Sequence, residues 1–221
     1  SGTNITLVDT NTIELGTVTA SGTLSVTAGT NITQSGTLLV SGATNLTASA
    51  GEITLTTAGN DFTGAVSASG TNITLVDTNT ITLGTVTASG TLSVTAATNI
   101  TNSGTVLVSG VTNLTASAGD ITLTTAGNDF TGVVNASGTN ITLVDTNTIN
   151  LGTVTASGTL SVTAGTNITQ SGTLLVSGAT NLTASAGEIT LTTAGNDFTG
   201  AVSASGTNIT LVDTNTITLG T

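Results

Sequence analysis

The chain contains no Lys, Arg, His, Cys, Met, Trp, Tyr or Pro, and only three Phe among 221 residues. Each absence excludes something. Without cysteine there are no disulfides, thiol nucleophiles or thiolate metal ligands. Without lysine there are no Lys–Asn isopeptide cross-links, so stability rests on backbone ladders and packing. Eleven carboxylates with no cation give a formal charge of −11. Such a surface repels nucleic acid and anionic membrane, both of which need Lys and Arg to replace their counterions. No run approaches the ~20 apolar residues of a membrane helix. Trypsin-like proteases find no site and chymotrypsin-like ones find few, which suits a protein exposed outside a cell. Low charge combined with abundant Thr, Val, Ile and Leu is not the composition of a disordered chain.

What is present is repetition. SGTNITLVDTN begins at Ser1, Ser69, Ser137 and Ser205, which divides the chain into units 1–68, 69–136 and 137–204 and a partial unit 205–221. A fixed period of this kind marks an architecture in which each unit buries its apolar face against its neighbours. Because the chain begins and ends inside the repeat, it reads as one continuous segment of a longer protein. Unit two departs from unit one at a few positions, including Asn102 for Gln34 and Asp120 for Glu52, while units one and three differ only at Glu14 and Asn150. The Thr shared by positions 82 and 218 hints at a two-unit period of 136 residues.

Thr, Val, Ser, Gly and Asn are poor helix formers. Short alternations such as Ile5-Thr6-Leu7, Leu24-Ser25-Val26 and Ile53-Thr54-Leu55 read as many short strands. A Gly-x-[Val/Leu]-x-[Ala/Val]-Ser-Gly pattern recurs from Gly16, Gly36 and Gly64. Taken as one corner of successive coils, it stacks Val18, Leu38 and Val66 inside, together with Ala20, Val40 and Ala68. Ser-Gly marks a turn where glycine tolerates positive φ. The next strand carries Ile5/Leu7, Leu24/Val26 and Leu46/Ala48, and another begins at Ile13, Ile32 and Ile53. Asn11 and Asn31 fall at matching corners and predict a short Asn ladder.

These features predict an all-β fold, a right-handed parallel β-helix with about three coils per 68 residues. At ~4.8 Å per coil, one unit advances about 14 Å and the chain about 45–50 Å. Tandem β-sandwich domains are the alternative, but they need a bulky aromatic core that this composition lacks. Eight residues exceed the 20-residue rhythm near Glu52–Asp61. They predict one small excursion per unit, AGNDF, covered by Phe62, Phe130 and Phe198.

The stretch SGTLSVTAGTNITQSGTLLVSG, with its 20-residue rhythm, resembles the β-helical repeats of filamentous-haemagglutinin-type bacterial adhesins and related giant surface proteins. The resemblance covers the whole chain as a pattern. It implies an extracellular, secreted stalk or fibre at the cell surface. Partners would then be other copies, associating end to end or laterally, and a host or neighbouring cell surface.

Catalysis on a β-helix needs paired carboxylates. Glu14 becomes Thr82 and Asn150 in the other units, and no His, Lys, Arg, Tyr or Trp is available to bind a sugar, so no enzyme activity is expected. No cofactor or metal is expected either: the nonapeptide calcium pattern is absent, and Asp9, Asp77 and Asp145 read as turn caps. Ten Asn-x-Thr sequons read as chance in so Asn- and Thr-rich a chain. The Thr rows are broken by Leu39 and Ala65, which argues against an ice-binding face. The alternative function is a binding module that presents the excursion once per unit to a carbohydrate or surface, with Asn60, Asp61 and Phe62 projecting outward. Their copies are Asn128, Asp129 and Phe130, and Asn196, Asp197 and Phe198.

Overall fold

The computed structural model describes residues 1–220 as a β-solenoid built entirely from short parallel strands, with no helix among the described residues. The first coil consists of β1 (Ile5–Asp9), β2 (Ile13–Leu15) and β3 (Val18–Ala20). The second consists of β4 (Leu24–Ala28), β5 (Ile32–Gln34) and β6 (Leu38–Val40). The third consists of β7 (Thr44–Ala48), β8 (Ile53–Leu55) and β9 (Asp61–Phe62). Alternation explains the strands: every second side chain enters a narrow interior that has room for Ile, Leu, Val and Ala, while Thr, Ser and Asn face outward. The predicted isoleucine column is present, with Ile13, Ile32 and Ile53 in register, and Ile73 continues it. Every strand pairing is parallel, which rules out the sandwich alternative among the described residues.

The coil count differs from the expectation. After the third coil, β10 (Val66–Gly70) stacks on β7, and β11 (Ile73–Asp77), the first strand of unit two, stacks on β8. Strand β11 therefore lies on the face opposite β1. The chain then continues into β12 (Ile81–Ala88) on β10 and β13 (Leu92–Ala96) on β11. Each unit thus makes three and a half coils rather than three. Equivalent strands change face from one unit to the next and return after 136 residues. Seven coils per 136 residues is about 19 residues per coil and an advance of about 17 Å per unit, not 14. The two long sheets each pass through eleven rungs, about ten full turns, for a length of about 48 Å.

The half coil also resets the register. Val18 over Leu38 and Ala20 over Val40 are as predicted, but Phe62 follows Val40 in that column. Val66 instead lies between Thr44 and Leu83. Likewise Leu46 stacks on Val26, not on Leu24: Gly22-Thr23-Leu24 and Gly42-Ala43-Thr44 are equally long, so Thr44 takes the place over Leu24 and Leu46 falls two positions further along. Asn11 is one position out of step with Asn31, so no Asn ladder forms. Thr12 and Thr30 share a hydroxyl bond of 2.8 Å there instead. No described residue has positive φ. The corner glycines serve close approach: a Cβ on Gly42 would lie 2.7 Å from the carbonyl of Gly22.

One position in each unit carries a flaw. Thr44, Thr112 and Thr180 are fully buried among aliphatic neighbours, and their hydroxyls have no partner. An unpaired buried hydroxyl costs roughly 1–3 kcal/mol, and Val has the same shape with a higher strand preference. The triple variant T44V/T112V/T180V is expected to gain about 1 kcal/mol per site, additively, since the sites are more than 10 Å apart. Urea unfolding checks this, and a loss of stability would mean that the hydroxyls are satisfied.

Candidate functional site

Among the described residues the regular wall is interrupted by the AGNDF segment at the end of the third coil of each unit and by register shifts at Val66–Ala68 and Val134–Ala136. A turn closed by the Asn60 amide on the Thr57 carbonyl (3.1 Å) aims the Asn60 side chain inward. Asn60 is fully buried, as are Asn128 and Asn196. Its Oδ1 accepts the Leu38 amide at 3.0 Å and Gln34 Nε2 at 2.9 Å, and its Nδ2 donates to Gln34 Oε1 at 2.8 Å. Unit three repeats this reciprocal amide pair with Gln170 and Asn196. In unit two the shorter Asn102 reaches Asn128 Oδ1 but leaves Asn128 Nδ2 without a partner.

Phe62, Phe130 and Phe198 are likewise buried, each ending an Ala–Val–Phe column that widens toward the unit joint. The expectation that Asn60, Asp61 and Phe62 project outward is therefore corrected. Asn60, Asn128, Asn196 and the three phenylalanines are core, because the half coil beyond them supplies a roof. Only Asp61, Asp129 and Asp197 reach solvent, and they are half-buried.

That roof is hinged on an aspartate. Asp77 Oδ2 accepts the Phe62 amide at 2.8 Å and Oδ1 accepts the Asn79 amide at 2.6 Å. Asp145 does the same for Phe130 and Asn147, and Asp213 accepts from Phe198 at 3.1 Å. Turn capping, as read from the sequence, is half of the role. The other half is to join one unit to the next, fifteen residues apart in sequence. Asp9, at the first coil, caps the Asn11 amide alone.

Burial pushes the carboxyls of Asp77 and Asp145 above the ordinary carboxylate range. The two backbone amides oppose this, and Asp61 or Asp129 nearby adds to it. A carboxyl raised on folding holds its proton more tightly in the folded state. Its contribution to stability is full below the ordinary value of 3.8 and is lost as pH rises through the folded value. Mutual repulsion among eleven carboxylates acts in the same direction. The thermal midpoint is therefore expected to rise as pH falls from 7 toward 4.5, with a shallower slope in D77N/D145N. A midpoint that falls over this range would contradict the assignment.

Six of the sequon asparagines are structural. Asn31, Asn99 and Asn167 accept the amides of Glu52, Asp120 and Glu188, and Asn4, Asn72 and Asn140 accept those of Thr23, Thr91 and Thr159. Among the described residues no three metal-ligating side chains converge. The surface offers shallow grooves lined by Ser, Thr and Asn, such as the one of about 140 Å³ over Asn45, Thr47, Ser67 and Thr87.

Comparison of the chain with curated proteins and with solved structures gives no match. One protein-family comparison does match, three times in succession, over residues 2–69, 70–137 and 138–205. These spans are the 68-residue units displaced by one residue, and they cover nearly the whole chain, which therefore belongs to the family of repeats of unknown function, DUF5649.

Proposed function

We propose that this array works mechanically, as a stiff, non-catalytic rod within an exported surface filament or adhesin stalk outside the cell. The observation that carries this reading is the continuity of the ladders across every unit boundary. Strand β11 pairs with both β8 and β13, and β10 pairs with both β7 and β12. Units joined in this way form one rod rather than beads on a string, and near-identical units allow length to change by duplication without altering the wall. The absence of Lys and Arg adds resistance to trypsin-like proteases. End-to-end or side-by-side contact with other copies, and attachment to a host or neighbouring cell through other parts of such a filament, complete the proposal. Nucleic acid and membrane are disfavoured as partners by the one-signed charge.

Arrays of three, five and seven units test the reading by electron microscopy. The expected result is constant width and about 17 Å of length per unit. A spacing near 35 Å per unit, or no rod, would overturn it. Antibody labelling of intact producing cells tests export, and labelling seen only after permeabilisation would refute the surface location.

A further inference from the structure

The half-coil offset gives the rod two equivalent long faces, related by a half turn and a shift of about 17 Å. On each face, four rungs of five-residue strands alternate with three rungs of paired shorter strands. In a four-rung block the outward positions hold hydroxyls and amides, such as Ser25, Thr27, Asn45, Thr47, Ser67 and Ser69, all exposed or half-buried, together with one valine on the first rung, Val8, Val76 or Val144. The opposite face repeats them as Ser93, Thr95, Asn113, Thr115, Asn135 and Ser137.

The carboxylates avoid these blocks. Asp9, Asp77, Asp145 and Asp213 occupy the inward-pointing or turn position that ends the first strand of each unit, and Glu52, Asp120 and Glu188 sit in turns. Only Glu14, Asp61, Asp129 and Asp197 fall on outward strand positions, all in the three-rung blocks. Those blocks also expose one leucine per unit: Leu39, Leu107 and Leu175 are 41, 38 and 42% exposed.

A rod of net charge −11 whose four-rung blocks carry no outward carboxylate has blocks suited to a neighbour of its own kind. Ten spacings of ~4.8 Å between eleven rungs, by about 17 Å of strand, give about 800 Å² per face, which is what each partner of a stable interface buries. We propose that a second copy of this chain docks side by side on this face through the carboxylate-free four-rung blocks, since each exposed leucine pairs in register with a carboxylate, Leu39 with Asp61, Leu107 with Asp129 and Leu175 with Asp197. Because both faces are alike, pairing extends into a layer of rods. This inference rests on the rod reading and adds the contact surface to it. Repulsion between rods reaches about 30 Å at 0.01 M salt and about 8 Å at 0.15 M, so association strengthens with salt.

The test is mass per unit length of the three-unit chain, by small-angle scattering, at both salt concentrations. At 0.15 M the wild type is expected to show at least twice the value of a single rod, and at 0.01 M the single-rod value. T47E/T115E/T183E, which charges the faces, should remain a single rod in both. S49E/S117E/S185E adds the same charge in exposed turns and should associate as the wild type does, which separates a face effect from misfolding or charge alone. A wild type at the single-rod value in 0.15 M salt, or growing only in length, would overturn the inference and leave the rod intact. Association of the face-charged variant would overturn it as well. A compact scattering profile would instead remove the rod reading on which it rests.

Discussion

Replacing Phe130 by Ala is expected to cost about 3–5 kcal/mol, the range for truncating a buried aromatic side chain. Phe130 is fully buried in the middle unit, below the Asp145 carboxylate that accepts its amide. Its column runs Ala88, Val108, Phe130, so the neighbours on one side are already small and cannot collapse into the gap. The loss acts at a joint. Strand pairing on both sides of residues 128–130 holds the last coil of unit two to the first strand of unit three. In a repeat array, stability is roughly a sum of unit and interface contributions, so the damage should first appear as local opening. Amide exchange should accelerate around residues 125–150 while the middle of unit one stays protected, and the urea midpoint should fall. Uniform loss of protection along the chain would mean that the joint is not a separate weak point. Phe130→Leu, which keeps most of the volume, should recover more than half of the loss.

The columns of this solenoid were readable from the sequence wherever the spacing stayed near 20. The strand starts at Ile13, Ile32 and Ile53, and the stacking of Val18 on Leu38, follow directly from alternation and period. The half coil is hidden, because the 28-residue step from Gly36 to Gly64 joins two copies of one corner pattern and makes eight residues look like an outward excursion. A signal for the correct path was present: Ile53-Thr54-Leu55 and Ile73-Thr74-Leu75 are identical triplets 20 residues apart, and they stack. Taking that pair as successive rungs places the first strand of unit two above the second strand of its predecessor. The inward aim of Asn60 is harder to read. Asn beside Asp is ordinary turn chemistry, and only Gln34, 26 residues away, shows that a buried partner awaits it.

That amide pair yields the second large effect. Asn60→Ala is expected to cost about 3 kcal/mol, because it leaves the buried Leu38 amide without an acceptor, which costs roughly 1–3 kcal/mol, and removes the reciprocal amide pair from Gln34, which keeps only the Gly36 carbonyl and the Thr57 amide. Asn128→Ala should cost less, since Asn102 is one methylene too short to accept from Asn128 Nδ2 and that donor is already orphaned. The complementary change, Asn102→Gln, restores the side chain that units one and three carry and should gain about 1 kcal/mol by completing the reciprocal pair. Asn102 accepts the Thr124 amide at 3.0 Å, whereas Gln34 accepts that of Thr57 at 3.2 Å, whose counterpart in unit two is Thr125, so the lengthening exchanges one backbone donor for the next. Urea titration of the three variants, with exchange rates of the Leu38 and Val106 amides, checks the set. If Asn102→Gln destabilises the chain, unit two has closed around the shorter residue. The difference between the units would then be a repacked variant rather than a missing hydrogen bond.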